Sequence, residues 1–190
     1  MGKQEILAAF DRNKTDKGTA LHAYHRMYAD VFKTIGAPSK MLEIGVLDGH
    51  SLAAWCELFP ETEIVGSDIK LRPVPEAAQR AKFIVHDSTK PGMAEMVGEG
   101  YDLIIDDGDH RPEAQWQTFS NLRDCWKHAY VIEDVVGKDH ADMLTKKLQD
   151  AGFTNIHTFS SKKTNAKIKM SGVMKEVAFY SIVVYKSEYI

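Results

Sequence analysis

The sequence predicts an α/β fold, a doubly wound sheet that is mostly parallel and closes in a C-terminal antiparallel hairpin. Three patterns carry the prediction. Five short apolar runs rich in Ile and Val each end in glycine or an acidic residue, as strands covered on both faces do. Helical patterns separate these runs, and such alternation builds a parallel sheet with right-handed crossovers. After Gly152 the alternation stops, and two strand-like runs follow with no helix between them.

Taken in chain order, residues 1–38 read as an N-terminal helical lid and 39–190 as the main domain. The lid holds the polar stretch NKTDKGTALHAY (13–24), and Thr15, Asp16, Lys17, His22, Tyr24 and Tyr28 could fold over a bound ligand. Lys17 would then face an anionic group, whereas the i, i+4 spacing of Tyr24 and Tyr28 equally suits a packed helix stripe. The main domain opens with the strand KMLEIGV (40–46) and a helix over 49–60. TEIVGSDI (62–69) and AKFIVHDS (81–88) follow as strands, then a helix over 90–100 and the strand YDLIIDDG (101–108). A helix over 112–127, the strand AYVIEDV (129–135) and a helix over 139–152, stopped by Gly152, end the alternation. FTNIHTFSS (153–161) and VAFYSIVVYKS (177–187) form the hairpin. The stretch 160–177 carries Lys162, Lys163, Lys167, Lys169 and Lys175 and reads as a solvated hairpin loop.

Composition narrows the function. With 190 residues, 44% hydrophobic and 27% charged, the chain has the size of one globular domain with a full core. A net charge of -3 and a pI near 6.2 give no global field toward nucleic acid or anionic membrane. No aromatic stacking motif accompanies the lysines of 160–177 either. No apolar run approaches the roughly 20 residues of a membrane span, and MGKQEILAAFDRNK lacks the apolar core of a leader. Cys56 and Cys125 lie far apart among apolar neighbours, as buried thiols in a reducing cytoplasm do.

In doubly wound sheets ligands gather at the carboxyl ends of the strands. The first such end is EIGVLDGHS (43–51), where Gly45 and Gly49 permit a tight turn and close backbone approach. The helix beginning near Ser51 offers free backbone N–H groups to a polar ligand. The second strand ends in Asp68, where a ribose-binding acid is expected, roughly 20 or more residues beyond the glycine loop. Asp87 and Ser88 end the third and suit a base edge. The fourth and fifth ends stack Asp106, Asp107, Asp109, Glu133 and Asp134, a repulsion that calls for a cation. Oxygen ligands favour Mg²⁺, Mn²⁺ or Ca²⁺ over zinc. Adjacent strand residues point to opposite faces, so Glu133 and Asp134 both reach one ion only where the strand gives way.

LEIGVLDGHS, Asp68 and Asp87 resemble the cofactor half of a class I S-adenosylmethionine-dependent methyltransferase, whose Rossmann-like sheet also ends in an antiparallel strand. TDKG…HAYHRMY (15–28), LEIGV, IDDGDH and IEDV together are similar to the metal-dependent sugar O-methyltransferases of macrolide (mycinamicin) and aminocoumarin (novobiocin) biosynthesis. The resemblance runs from Thr15 to the final hairpin. It implies S-adenosylmethionine held by Glu43, Gly45, Asp48, Gly49, Ser51, Asp68, Asp87 and Ser88, with Asp106 facing the cofactor side. It implies Mg²⁺ or Mn²⁺ on Asp107, Glu133 and Asp134. The acceptor it implies is a small hydroxylated molecule, a sugar or glycoside foremost; a homo-oligomer is compatible with it, and neither membrane nor nucleic acid is an expected partner.

The chemistry asks for these parts. A protonated hydroxyl is a poor nucleophile, and a divalent ion chelated by neighbouring oxygens lowers its pKa and fixes its distance to the methyl group. His110, three residues after Asp107, is the expected general base, with Asp109 the second choice. A nucleotide- or NAD-binding oxidoreductase would use the same sheet, but Val46 and Leu47 stand where the second glycine of its fingerprint belongs. A catechol-type methyltransferase would add an Asn to the acids, and none follows IEDV (132–135).

Overall fold

The computed structural model describes residues 1–19, 22–161, 166–170 and 173–186, with backbone alone for 166–170 and 173–177. Helices α1 (Lys3–Arg12) and α2 (His25–Ile35) precede the sheet. Strands β1 (Lys40–Ile44), β2 (Glu63–Asp68), β3 (Lys82–Val85), β4 (Tyr101–Asp106) and β5 (Trp126–Val136) follow. Helices α3 (His50–Leu58), α4 (Met93–Val97), α5 (Pro112–Leu122) and α6 (Lys138–Asp150) are interleaved with them. The chain continues through β6 (Asn155–Ser160), β7 (Ala166–Met170), β8 (Val173–Val177) and β9 (Phe179–Tyr185).

Seven strands form one sheet in the order β3-β2-β1-β4-β5-β9-β6. The first five are parallel, and β9 lies antiparallel between β5 and β6. The order reverses between β1 and β4, which places a topological switch point at their carboxyl ends. The two terminal runs pair with each other as expected, but the stretch between them departs from a plain loop. Strands β7 and β8 pair there as a separate antiparallel ribbon; Lys162 and Lys163 lie outside the described residues. The helix expected over 112–127 stops at Leu122, because Cys125 N–H turns back to the Leu122 carbonyl and Trp126 pairs with Tyr101 at the start of β5.

Strand alternation sorts the core into two layers. Met41, Leu103, Ile105, Ala129 and Val131 face a layer built by α1, α2 and α3. Leu42, Ile44, Ile104, Tyr130 and Ile132 face one built by α4, α5 and α6. The strands thus read as continuous apolar runs because both faces are covered. Segment 1–38 contributes Ile6, Phe10, Tyr28 and Phe32 to the first layer, where Trp55 of α3 meets Phe10 at 5.0 Å, Tyr28 at 4.8 Å and Phe32 at 6.0 Å between ring centres. Such aromatic clusters add specific edge contacts to the area they bury. Among the described residues no helix is long and apolar enough to cross a membrane.

Trp55→Ala should lower the unfolding free energy by about 3–5 kcal/mol, the usual cost of deleting a buried large aromatic, measured by urea denaturation. A loss below about 1 kcal/mol would mean that α1 and α2 dock without this anchor.

Candidate active site

The alternation that sorts the core also aims the acids. Glu43 shares the face of Met41, and Glu133 shares that of Val131, so both point into the layer under α1 and α2. Asp107, the residue after β4, follows the same parity as Ile105. Asp134 does not follow it, and the reason is a bulge. Ile132 pairs with Ile182 and Val135 with Tyr180, so Glu133 and Asp134 together oppose Ser181. Asp134 adopts a left-handed φ of 51°, a costly conformation for a residue with a side chain. The extra residue turns both acids to one side, and Val135 rejoins Ile132 in the other layer. Nothing in IEDV distinguishes a bulged strand from a regular one.

Lys17 reaches the centre of this group, 1% exposed. Its Nζ donates to Asp107 Oδ2 at 2.5 Å and to Glu133 Oε2, and lies 3.5 Å from Glu43 Oε1. Tyr28 donates its hydroxyl to Glu133 Oε1, and Tyr24 donates to Asp134 Oδ1. Glu43 also accepts from the Ser51 hydroxyl at 2.9 Å. His22 Nδ1 stands 3.4 Å from Asp134 Oδ1, and His110 Nε2 stands 3.9 Å from Asp134 Oδ2. The i, i+4 tyrosines therefore both aim their hydroxyls at the acids while their rings pack. Ser161 Oγ, just after β6, donates to the His22 carbonyl at 2.8 Å.

The electrostatics follow from burial with too few cations. Burial works against the charged amine of Lys17, but Asp107, Glu133 and Glu43 outweigh it and raise its pKa well above the ordinary value. Burial lifts Glu133 well above the carboxylate range and lifts Asp107, with Lys17 opposing both shifts. Glu43 is pushed up to about 7, again by burial against the pull of Lys17. Burial and the neighbouring acids raise Tyr24 and Tyr28, which keeps both phenols protonated as donors.

The other expected residues fall into separate places. Asp68 sits at the end of β2, accepting from Leu47 N–H at 2.9 Å and Lys70 N–H at 3.1 Å. It edges a crevice lined by Val46, Leu47, Arg72, Phe83 and Val85. Gly45 (φ 85°) lets β1 turn against β4, since a Cβ there would stand 2.0 Å from the Asp107 carbonyl oxygen. Gly49, at φ 74°, caps α3. Asp48 is exposed and 3.4 Å from Arg72. Asp87 accepts from Thr89 N–H and hydroxyl, and the buried Ser88 hydroxyl pairs with Thr118 of α5 at 2.9 Å. Asp109 is bound by Arg111, whose hydrogen bond holds its carboxyl below the usual range. Asp106, expected to face a cofactor, shares the face of Ile104 and Tyr130, on the opposite side of the sheet from Lys17. The Tyr130 hydroxyl lies beside its carboxyl, and burial pushes the Asp106 pKa up to about 8.

No protein-family model matches the chain, and no curated protein matches it. Solved structures do. MycE methyltransferase from the mycinamycin biosynthetic pathway, in complex with Mg and SAH, matches at 28% identity and a TM-score of 0.61, over 68% of this chain and 37% of that one. MycE bound to Mg, SAH and mycinamycin VI matches at 24% identity and a TM-score of 0.68, over 93% of this chain and 54% of that one. The O-methyltransferase TomG from Streptomyces achromogenes, in complex with SAM, matches at 12% identity and a TM-score of 0.51, over 98% of this chain and 92% of that one. The sheet, with its antiparallel β9, is that of the class I S-adenosylmethionine-dependent methyltransferases. The chain resembles MycE while spanning 37% of that protein's length in the first match.

Burial raises the Asp106 carboxyl from its ordinary 3.8 to about 8, so this group binds more protons folded than unfolded between those pH values, and the stability it contributes falls as pH rises. Asp106→Asn should therefore flatten the decline of the melting temperature across that window, each 1 kcal/mol appearing as about 2–4 °C. Parallel profiles for both proteins would show that Asp106 is ionised in the fold.

Proposed function

We propose that the protein is an S-adenosylmethionine-dependent O-methyltransferase that uses a divalent metal and acts on a hydroxyl of a small molecule, a sugar or glycoside foremost. The observation that carries this reading is the junction of two sites at the switch point: a crevice with an acid at the ends of β1, β2 and β3, beside carboxylates at the ends of β4 and β5. An oxidoreductase would not need the second.

S-Adenosylmethionine supplies a methyl group already activated on a sulfonium. The chain's part is to hold it, and Asp68 retains free lone pairs beside its two backbone bonds for ribose hydroxyls. Gly45 lets the β1 turn pack closely on the chain after β4, and the first N–H groups of α3 face the same end of the sheet.

The donor set fits a hard cation. Asp107 and Asp134 offer carboxylate oxygens that lie, together with a ring nitrogen of His110, within 4.8 Å of one another, so an ion on the two carboxylates would have the imidazole beside it, and the acids of the group outnumber the Lys17 ammonium. When bound, Mg²⁺ or Mn²⁺ supplies Lewis acidity toward the acceptor hydroxyl. His110 is 40% exposed and faces Asp134 Oδ2, a position from which an imidazole takes the hydroxyl proton. Asp109 is unsuited to that role while Arg111 stabilises its charged form. Buried free thiols at Cys56 and Cys125 are in keeping with a reducing cytoplasm. Partners beyond cofactor, metal and acceptor are not required, and a homo-oligomer is compatible with the chain.

Asp68→Ala should weaken S-adenosylhomocysteine binding about ten-fold or more, the loss of a charge-assisted hydrogen bond of about 1.5–3 kcal/mol, as read by calorimetry. Unchanged binding would remove Asp68 from the cofactor site, and NADH binding in its stead would favour an oxidoreductase.

EDTA should abolish methyl transfer, with Mg²⁺ or Mn²⁺ restoring it. His110→Ala should lose roughly 10²–10⁴ in rate while Mn²⁺ affinity stays close to wild type. A large fall in Mn²⁺ affinity would make His110 a ligand, and turnover that survives EDTA would leave the acids a structural role.

A further inference from the structure

The bulge in β5 turns two acids to one face of the sheet, and it leaves peptide groups outside the ladders. β4 pairs with β5 as far as Ile132, and β9 pairs with it at Ile132 and again at Val135. Glu133 and Asp134 fall in neither register. At Asp134 the backbone also takes the left-handed φ of 51°, a conformation that is unfavourable for a residue with a side chain and persists only where its surroundings impose it. A buried peptide carbonyl without a partner is unfavourable too. Glu133 is 1% exposed, and its carbonyl accepts from Gln115 Nε2 at 2.7 Å.

Gln115 belongs to α5, which covers the second layer, whereas the two acids turn toward the first. It is itself 1% exposed, and its Oε1 has no hydrogen-bond partner among the described residues. An amide buried with one end unpartnered is disfavoured in a layer otherwise built by Phe119, Leu122, Ile132 and Val135, where an aliphatic side chain would bring no polar group out of water. What the amide supplies is a donor at the bulge.

We propose that Gln115 is a positioning residue for the metal site: its bond to the Glu133 carbonyl holds the β5 bulge in the conformer that presents Glu133 and Asp134 on the same face as Asp107. This deepens the divalent-metal reading above and rests on it. Tyr28 and Tyr24 hold the two acids by their side chains, and Gln115 holds the backbone between them, so the bulge is fixed from both sides of the sheet. Without the amide, the Glu133 carbonyl gains a new partner by rotation of the peptide that joins it to Asp134. That rotation changes ψ of Glu133 and φ of Asp134 together, so Asp134 relaxes from its left-handed φ and its carboxylate leaves the metal face. Asp107, at the exit of β4, is not on this peptide and stays. Partners that orient a ligand without touching the ion commonly set metal affinity by about 10- to 100-fold.

The test is Mn²⁺ binding to the full chain with S-adenosylhomocysteine present, followed by calorimetry and by the electron paramagnetic resonance of the bound ion. Gln115→Met keeps the length and bulk of the side chain and removes the donor. Its Mn²⁺ affinity should fall about ten-fold or more, while S-adenosylhomocysteine affinity measured without metal stays within about two-fold of wild type. Gln115→Asn keeps the amide but withdraws it by one methylene; it should shift Mn²⁺ affinity in the same direction, and it gives the reading should Gln115→Met not fold. Leu122→Ala, at the other end of α5, removes a fully buried side chain and should destabilise the fold with Mn²⁺ affinity unchanged, which separates positioning from general loss of stability. Asp134→Asn should cost at least about three-fold less Mn²⁺ affinity in the Gln115→Met background than in wild type, because the carboxylate has already left the face, whereas Asp107→Asn should cost the same in both. Wild-type Mn²⁺ affinity in Gln115→Met overturns the assignment while leaving the metal reading intact. Equal losses in Gln115→Met and Leu122→Ala also overturn it, as do additive losses in Gln115→Met and Asp134→Asn. Absence of Mn²⁺ binding to the wild-type protein overturns both.

Discussion

A single ammonium buried among carboxylates organises this molecule. Lys17 lies between Asp107, Glu133 and Glu43, and those acids come from the ends of β4, β5 and β1. Lys17 itself arrives from a segment that joins no strand of the sheet. Bringing so many charges out of water is costly unless each is matched, so the position of every participant is strongly determined by the others. Lys17 must lie over the strand ends for the acids to be tolerated there, and the acids must converge for the lysine to be buried.

The rest of the structure supports that convergence. α1 and α2 are anchored by the ring cluster around Trp55, which sets the start and end of the Lys17 segment. The bulge in β5 brings Asp134 to the same side as Glu133. Gly45 allows the β1 turn to touch the chain just after β4. Hydrophobic packing thus supplies the affinity between elements, and the polar group selects one alignment among those that packing alone would accept. The two tyrosines serve both ends, with rings in the core and hydroxyls on the acids.

Much of this was legible in the sequence. Short Ile- and Val-rich runs between helical patterns specify a parallel sheet, since strands covered on both faces have no polar side to show. The acids fall at the carboxyl ends of β1, β2, β4 and β5, or just after them, as the runs in the sequence place them. What the sequence concealed depended on which face each side chain takes. Asp106 and Asp107 are equivalent as letters, yet one lies beside Tyr130 in the second layer and the other beside Lys17. The bulge at Glu133 and Asp134 has no glycine or proline to announce it. Ser88, a candidate ligand contact at a strand end, pairs its hydroxyl with that of Thr118 after the turn that follows β3, a contact that its position in the sequence does not announce. The ribbon β7–β8 was hidden by its lysines, a composition that suits a solvated loop equally well.

The bulge makes chain length a determinant in its own right. Glu133 and Asp134 share one rung opposite Ser181 because β5 holds one residue more than its ladder requires. Deleting a residue between Ile132 and Val135 would let the strand run in unbroken register with β9, with every flanking pair kept. The sheet would survive and the convergence would not. Relatives of this chain should therefore divide at a single-position gap in the alignment of this strand: those with the extra residue keep both acids on one side, and those without it retain the scaffold alone. A comparison that scores only residue identity would miss that boundary, because the information lies in the spacing of the strand and not in any side chain on it.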